Sequence, residues 1–338
     1  MQLGAYFSKM KVAVLGSGSW GTALAILLAR NGHEVALLGR DPAEIDSLRQ
    51  HHENLRYLPG FPIPNNVRYD LLHQHLDPIE MTVVAVPSDA VRQVVQDVGG
   101  EHPLIVVAAK GLEPGTAKMV SDVAAEARPG ALIGALSGPN LAVEIVRGIP
   151  TAALAACKDD AIAERIRAAF NCRTFRVYKS ADVTGVELAG ALKNVIAVGA
   201  GMSDGLGFGD NTKGAFLARG LKEMIALGTA MGAKLETFLG IAGVGDLFAT
   251  ASSNLSRNYR AGKLLAQGKS LDDALREVGQ VVEGVSTSGS VQMLARQYNV
   301  EMPVFAAVES VIHGQVEPMA AVGMLMERDT PTEGLPAS

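Results

Sequence analysis

Two polar residues interrupt an apolar segment in the second half of the chain, and they are the first candidates for chemistry. Lys193 and Asn194 close the segment ELAGALKN, which has the composition of a helix and in which neither residue aids packing. At helical spacing, Asn194 shares a face with Glu187 and Gly190, with Lys193 beside them. Apolar surroundings lower the pKa of a lysine towards neutrality, so Lys193 is predicted to donate and accept a proton. The alternative is a lysine whose ammonium group extends to solvent.

The second candidate is the tripeptide Ser256-Arg257-Asn258, which combines a hydroxyl, a guanidinium and an amide. These donors can make several hydrogen bonds to a small phosphate dianion, and the pattern therefore predicts a phosphate clamp. A plain surface loop is the commoner origin of such a tripeptide and is the alternative. A further polar interruption is the segment GVGDLFAT, which carries Asp246 and Thr250.

A glycine-rich hexapeptide, GSGSWG, follows the apolar run at residues 11–15 and precedes a run of strong helix formers. This context is that of a dinucleotide-binding turn. Gly16 would allow the tight turn, Gly18 a close approach to a pyrophosphate, and Gly21 the packing of the helix on the sheet. The helix N-terminus would attract the anion. The alternative is a turn that only caps a helix.

The end of the second predicted strand bears on the choice of dinucleotide. NAD-binding sites usually have an acidic residue there, whereas this chain reads Leu38-Gly39-Arg40. Arginine suits a 2′-phosphate, so NADP(H) is preferred to NAD(H), which is left open because Asp41 is adjacent. A solvated loop arginine is the alternative. No motif for a metal site is found.

Two further polar segments follow strands whose carboxyl ends should lie at the same edge of a sheet. Lys110 follows the apolar run at residues 104–108, and Ser137-Gly138-Pro139-Asn140 follows the next run. Open α/β sheets bind ligands at this edge, so the two segments are predicted to contribute to one site. Each taken alone is also compatible with a plain strand-to-helix loop.

The pattern of elements changes near residue 182. The first half predicts a doubly wound, Rossmann-type α/β domain at residues 1–182, and the second predicts an all-α domain at residues 183–338. The glycine-rich stretch at residues 199–209 is predicted to break the helical pattern, and Ser270 with Asp273 has the spacing of a capping box. Strands are predicted at residues 11–15, 33–39, 81–86, 104–108, 131–136 and 151–156, and helices at 22–30, 184–200 and 212–231.

Composition excludes several classes of protein. The chain has 338 residues, 48% of them hydrophobic, which is enough apolar material for two cores. A net charge of -5 disfavours a nucleic-acid partner. No apolar run approaches the roughly 20 residues of a membrane span, and residues 1–10 do not resemble a signal peptide. Two cysteines without a disulfide signature favour the cytoplasm. The tail at residues 328–338 is expected to be disordered.

Together these segments resemble one family. GSGSWGTALA, AAKGLE, SGPNLA, ELAGALKNVIAVGAGMSDGLGFGDNTK, AGVGDLFAT, SRN and GQVVEG occur in the order and approximate spacing of the NAD(P)-dependent glycerol-3-phosphate dehydrogenases of bacterial type. The resemblance covers residues 11–326, and residues 1–9 precede the usual start of the family. It implies reversible reduction of dihydroxyacetone phosphate to sn-glycerol 3-phosphate, for phospholipid synthesis, in a cytoplasmic enzyme. A homodimer is left open.

The resemblance also assigns roles to individual residues. Lys193 matches the proton-transfer lysine, and Lys110 matches a lysine that contacts both substrate and cofactor. The other substrate-binding positions are Gly138, Asn140, Asn194, Asp246, Thr250, Ser256, Arg257 and Asn258. The other cofactor-binding positions are Gly16, Gly18, Ser19, Trp20, Gly21, Arg40, Ala142, Arg257, Val281 and Glu283.

Two other functions remain as alternatives. A hydroxyacid or ketopantoate reductase would share the two-domain plan, but it would have no need for the clamp at residues 256–258. A dinucleotide sensor without catalysis would be expected to have lost Lys193 or the clamp, and both are present.

Overall fold

A computed structural model of the chain describes residues 9–74 and 78–328. Their contacts form two units, and the first comprises the chain up to Ala109 together with Val120–Val183. The segment Lys110–Met119 groups with the residues from Thr184 onward in the second unit. Residues 1–8 of the segment that precedes the usual start of the family, and residues 329–338 of the tail predicted to be disordered, lie outside the described residues.

The first unit is built on an eight-stranded sheet of order β10-β9-β8-β7-β6-β1-β2-β5. Its strands are parallel except that β9 runs antiparallel to β8. Two short strands, β3 and β4, form a separate ladder. The strands are β1 (Lys11–Leu15), β2 (Glu34–Gly39), β3 (Glu53–Asn54), β4 (Leu58–Pro62), β5 (Val67–Leu71), β6 (Met81–Val84), β7 (Leu104–Val107), β8 (Leu132–Ser137), β9 (Thr151–Ala156) and β10 (Phe175–Ser180).

Helices cover both faces of this sheet, because successive strand residues point to opposite sides. Val12 and Val14 pack in the core cluster that contains α1, whereas Ala13 and Leu15 pack in the cluster that contains α3 and α4. The predicted doubly wound fold is confirmed. The helices are α1 (Ser19–Arg30), α2 (Pro42–His51), α3 (Val91–Asp97), α4 (Val120–Ala127), α5 (Ala142–Val146) and α6 (Asp160–Phe170).

The second unit is helical, as predicted, and α7 runs through its centre. Every residue from Gly185 to Ser203 is buried, and the contacts of α7 include residues of α8, α11, α13 and α14. The helices are α7 (Val183–Gly205), α8 (Asp210–Ala230), α9 (Leu235–Leu239), α10 (Asp246–Ala251), α11 (Arg257–Ala266), α12 (Leu271–Val278), α13 (Glu283–Gln297), α14 (Pro303–Ile312) and α15 (Pro318–Met326).

The glycines of α7 refine one prediction. The helix continues through Gly199 and Gly201 and ends at Gly205, so the glycine-rich stretch at residues 199–209 breaks the helical pattern only at residues 206–209. A Cβ at Gly201 would lie 2.0 Å from the backbone oxygen of Tyr259, and a Cβ at Gly262 would lie 1.8 Å from the oxygen of Val198. These glycines therefore allow α7 and α11 to approach each other closely, and the packing offsets their low helix propensity.

Three further features bear on the predictions. Ser270 caps α12 by accepting a hydrogen bond from the amide of Asp273, as the capping-box spacing predicted. By length and composition α7 is also apolar enough to cross a membrane, but 89% of its most apolar stretch is buried within the protein, as in a core helix. Cys157 and Cys172 are both free thiols.

Candidate active site

Lys193 lies on the buried helix α7 and ends in a polar cluster of the second unit. Only 6% of the residue is exposed, so the alternative in which its ammonium group reaches solvent is wrong. Its Nζ donates to Thr250 Oγ1 at 2.7 Å and lies 3.1 Å from Asp246 Oδ1. Burial lowers the pKa of Lys193 to about 8, although the Asp246 carboxylate partly opposes this shift. The lysine can therefore exchange a proton near neutral pH.

Asp246 is the acceptor at the centre of this cluster. It is 1% exposed, and its Oδ2 accepts a hydrogen bond from Lys110 Nζ at 2.8 Å while Oδ1 accepts one from Thr250 Oγ1 at 3.1 Å. Burial pushes the pKa of Asp246 upwards, but the ammonium groups of Lys110 and Lys193 outweigh burial and hold the pKa below its usual value. Asp246 therefore remains a carboxylate that orients two lysines.

A π-helical turn, Ile241–Gly245, brings Asp246 to this position at the start of α10. A Cβ at Gly243 would lie 1.9 Å from the backbone oxygen of Phe238, so the backbone of the turn can approach Phe238 this closely only with glycine. Turns of this type recur at functional sites. The sequence analysis marked GVGDLFAT as a polar interruption but did not predict a π-helical turn.

A chain of amide hydrogen bonds lies beside the lysines. Asn194 Nδ2 donates to the backbone oxygen of Lys110 at 2.8 Å, and Asn194 Oδ1 accepts from Asn258 Nδ2 at 2.8 Å. Asn258 Oδ1 in turn accepts from the backbone amide of Gly284 at 2.9 Å. This series of hydrogen bonds connects the segment that carries Lys110 to α7, α11 and the start of α13.

Gly284 belongs to this series of hydrogen bonds, but it was not predicted from the sequence to be a site residue. A Cβ there would lie 2.5 Å from the backbone oxygen of Asn194, which explains the need for glycine. The only signal in the sequence was its place at the end of the segment GQVVEG.

The predicted phosphate clamp divides into residues with different partners. Ser256 Oγ caps α11 by accepting from the amide of Tyr259 at 3.2 Å, and Asn258 belongs to the amide chain. Arg257 is half-buried, and its side chain has no hydrogen-bond partner in residues 9–74 and 78–328. Burial lowers its pKa, while Glu283 acts in the opposite direction. The guanidinium of Arg257 is therefore the group of the clamp best able to bind an anion.

The glycine-rich turn of the first unit has the geometry that a dinucleotide requires. Gly16 has a φ of 109°, and a Cβ at Gly21 would lie 1.8 Å from the oxygen of Gly16, so both positions need glycine. No atom of the described residues lies within 4 Å of the Cβ position at Gly18, which leaves the backbone open to a ligand. No side chain caps α1, and its first turn, which contains Ser19, has no acidic residue. These residues fit a pyrophosphate.

Two residues near this turn define its surroundings. Trp20 Nε1 donates to the backbone oxygen of Ala108 at 3.0 Å, which fixes the indole. Arg40 is exposed after β2, and Asp41 Oδ1 accepts from the amide of Ala43 at 3.0 Å as the cap of α2. The acidic neighbour that left NAD(H) open thus has a structural partner, and Arg40 has no acidic partner within the described residues.

The remaining predicted positions lie at loop and helix starts. Gly138 has a φ of 142°, Asn140 Nδ2 donates to the oxygen of Ala152 at 3.3 Å, and Ala142 begins α5. In the second unit Val281 is 47% exposed, and Glu283 begins α13. In the part of the chain that the structure describes, no group of three His, Cys, Asp or Glu residues is arranged for a metal ion.

Two family models match consecutive parts of the chain. Residues 11–163 match the model described as the NAD-dependent glycerol-3-phosphate dehydrogenase N-terminus. Residues 182–323 match the corresponding C-terminus. Together the two matches include every residue predicted for the site.

Individual proteins give the same result. A glycerol-3-phosphate dehydrogenase (NAD(P)+) of Desulfitobacterium hafniense (strain Y51) is 46% identical over 321 residues, which are 94% of this chain and 91% of that protein. The crystal structure of glycerol-3-phosphate dehydrogenase from Coxiella burnetii superimposes with a TM-score of 0.88 at 35% identity, covering 95% of this chain and 99% of that chain.

A structure from one of the alternative functions is also similar, but at a lower level. A ketopantoate reductase from Ralstonia eutropha JMP134 has a TM-score of 0.59 at 15% identity, covering 93% of this chain and all of that chain. At this identity the likeness concerns the fold alone.

Proposed function

We propose, because the chain belongs to the NAD-dependent glycerol-3-phosphate dehydrogenase family, that it interconverts dihydroxyacetone phosphate and sn-glycerol 3-phosphate. As a member of that family it is an NAD(P)-dependent oxidoreductase. The observation that carries the proposal is the buried cluster in which Lys193 and Lys110 share the Asp246 carboxylate. This cluster can supply a proton to a small carbonyl substrate.

Lys193 is the proposed proton donor and acceptor. A bound nicotinamide supplies or removes the hydride at C2 of the substrate. In the direction of reduction, Lys193 Nζ gives its proton to the carbonyl oxygen, which becomes the hydroxyl, and neutral Lys193 is then reprotonated from solvent. In the reverse direction, neutral Lys193 takes the proton from the hydroxyl. A pKa of about 8 supports both directions, since each form of the lysine is accessible near neutral pH.

The neighbours of Lys193 hold it for this transfer. Thr250 and Asp246 bind its ammonium group, which fixes the direction of its N–H bonds. Lys110 adds a second positive charge beside Asp246 and opposes charging of Lys193. We assign Lys110 to contacts with substrate and cofactor, and Asn194 to holding the Lys110 backbone at 2.8 Å.

Arg257 is the proposed ligand for the substrate phosphate. Its guanidinium makes no hydrogen bond with the described residues and can bind a dianion through two parallel N–H groups. This feature favours a phosphorylated substrate over the unphosphorylated hydroxyacids of the alternative reductases. The intact lysine cluster likewise favours an enzyme over a dinucleotide sensor.

The choice of coenzyme and the cellular setting extend the proposal. Arg40, which has no acidic partner in the part of the chain that the structure describes, supports NADP(H) ahead of NAD(H). The residues of the glycine-rich turn, with Trp20 and Ala142, would bind the dinucleotide in the first unit. Reduction of dihydroxyacetone phosphate would supply glycerol phosphate for phospholipid synthesis in the cytoplasm. We also propose that the chain assembles as a homodimer. Light scattering would measure the mass of the assembly and test this.

The decisive experiment follows nicotinamide absorbance when the purified protein receives dihydroxyacetone phosphate with NADPH or with NADH. Rapid oxidation of either coenzyme is expected, with NADPH favoured. Ketopantoate and a simple 2-keto acid serve as control substrates. Oxidation of the coenzyme with a control substrate, but not with dihydroxyacetone phosphate, would assign the chain to another reductase class. Binding of NADPH without any turnover would favour the sensor.

A further inference from the structure

A loop of the first unit, residues 55–57, is tied to the glycine-rich turn by the buried side chain of Asn54. Asn54 Nδ2 donates to the backbone oxygen of Ser17 at 2.7 Å and to Thr22 Oγ1 at 2.8 Å. Asn54 Oδ1 accepts from the backbone amide of Tyr57 at 3.0 Å. The side-chain amide of Asn54 therefore holds the loop against the glycine-rich turn.

Ser17 also touches the end of β2. A Cβ at Gly39 would lie 2.6 Å from Ser17 Oγ, and the adjacent amide of Gly16 donates to the backbone oxygen of Leu38 at 2.8 Å. Arg40 follows Gly39 directly. The residue after β2 and the loop after Asn54 thus flank the same point of the turn. In dinucleotide-binding folds, the adenosine ribose lies beside the end of this second strand.

Arg56 carries the positive charge of the loop. It is exposed, and its Cζ lies 4.9 Å from the centre of the Tyr57 ring, in the range of a cation–π contact. It has no ion-pair partner among the described residues, and neither has Arg40. The ring restricts the guanidinium of Arg56, while no carboxylate of residues 9–74 and 78–328 pairs with it. Its charge is therefore available to an anion that lies beside the turn.

We propose that Arg56 is a specificity-determining residue that acts with Arg40 on the 2′-phosphate of NADP(H). This inference rests on the proposed coenzyme use of the chain and adds a residue to it. Arg40 follows the strand end that contacts Ser17, and Arg56 lies in the loop that Asn54 joins to Ser17, so two guanidinium groups from these segments could bind one dianion through several charge-assisted hydrogen bonds. NAD(H) lacks that dianion and gains nothing from Arg56. The loop thus discriminates between coenzymes that are otherwise identical.

The test compares Arg56→Gln and Arg56→Glu with the control Arg176→Gln. Arg176 is an exposed arginine of the same unit, its Cζ lies 5.2 Å from the centre of the Tyr178 ring, and β10 is at the opposite end of the sheet order from β5. Arg56→Gln is expected to lower the ratio of kcat/KM for NADPH to kcat/KM for NADH about tenfold at low salt. Arg56→Glu should lower the ratio further, and Arg176→Gln should leave it unchanged.

A binding measurement separates this inference from the proposed reaction. Calorimetry with 2′,5′-ADP and with 5′-AMP needs no turnover, and Arg56→Gln should weaken 2′,5′-ADP about tenfold relative to 5′-AMP, with a smaller effect at 0.5 M salt. Equal weakening of both nucleotides, or no weakening, would overturn the role of Arg56. If the unaltered chain does not turn over dihydroxyacetone phosphate, the proposed reaction is overturned. The nucleotide measurement would still test the role of Arg56.

Discussion

Lys193 and Asp246 lie 3.1 Å apart, from Nζ to Oδ1, and both side chains are buried. Burial disfavours the charged form of each residue, and their attraction only partly offsets this cost for the lysine. The carboxylate has a second cation in Lys110 and remains ionised, whereas the lysine is left with a pKa near that of a useful acid and base. Asp246 therefore stays ionised, while Lys193 can gain or lose its proton near neutral pH, as proton transfer requires.

Replacing Lys193 with methionine should remove the proton donor while keeping the volume of the buried side chain. We expect kcat to fall by at least about 10²-fold, the usual scale of acid–base catalysis, with NADPH binding retained. Stopped-flow measurement of coenzyme oxidation and fluorescence titration of NADPH would test this. Lys222→Met, on α8, is a control without a catalytic assignment. Turnover within a few-fold of the unaltered chain would remove the role of Lys193.

The rates of the two directions should depend on pH in opposite ways. Reduction needs protonated Lys193, so kcat/KM for dihydroxyacetone phosphate should fall as the pH rises through about 8. Oxidation needs the neutral lysine, so kcat/KM for sn-glycerol 3-phosphate should rise over the same range. Initial rates between pH 6 and 10 at constant ionic strength would reveal both limbs. Profiles that move in the same direction would contradict this assignment.

Replacing Arg257 with alanine should weaken recognition of the phosphate. The guanidinium makes no hydrogen bond with the described residues, so its loss leaves no internal partner unsatisfied. We expect KM for dihydroxyacetone phosphate to rise at least about tenfold, on the scale of a hydrogen bond to a charged group. Unphosphorylated dihydroxyacetone is the matched control, and its low kcat/KM should change little. A similar loss with both substrates would mean that Arg257 does not bind the phosphate.

Replacing Arg40 with aspartate should shift the preference from NADPH towards NADH. A carboxylate at the end of β2 repels a 2′-phosphate and can accept hydrogen bonds from the ribose hydroxyls. The ratio of kcat/KM for the two coenzymes is expected to reverse or to fall at least about tenfold. Arg176→Asp, on β10, controls for the change of net charge. An unaltered ratio would show that the 2′-phosphate is bound elsewhere.

Two glycine substitutions should have opposite effects on stability. Gly201→Ala places a Cβ 2.0 Å from the oxygen of Tyr259, so we expect a loss of about 3 kcal/mol in the free energy of unfolding. Gly214→Ala is also helical but meets nothing within 4 Å, and it should gain about 0.5–1 kcal/mol through helix propensity. Urea denaturation of both variants would measure the difference. Equal stability would mean that α7 and α11 are less close than described.

Much of the fold was readable because it depends on local patterns. Short apolar runs predicted six strands of the sheet, and β1, α1 and β2 form around the glycine-rich turn as the sequence pattern indicated. The strands β5 and β10 were missed. Arg68 and Asp70 alternate with apolar residues in β5, and charged residues also interrupt β10, as befits strands at the two edges of the sheet. The reversal of β9 had no local signal, because strand direction depends on how the chain returns to the sheet.

By itself, the sequence determined which residues have the chemistry: a lysine in an apolar helix, an arginine beside an amide, and a glycine-rich turn before a helix. Only the tertiary structure decided their states. Burial lowers the pKa of Lys193 to about 8 against the attraction of Asp246, and its ammonium group meets Thr250, which lies 57 positions further along the chain. Asn258 binds the backbone amide of Gly284, whereas the side chain of Arg257 next to it makes no hydrogen bond within the described residues. Burial and pairing arise from contacts between distant segments, and residue type alone does not specify them.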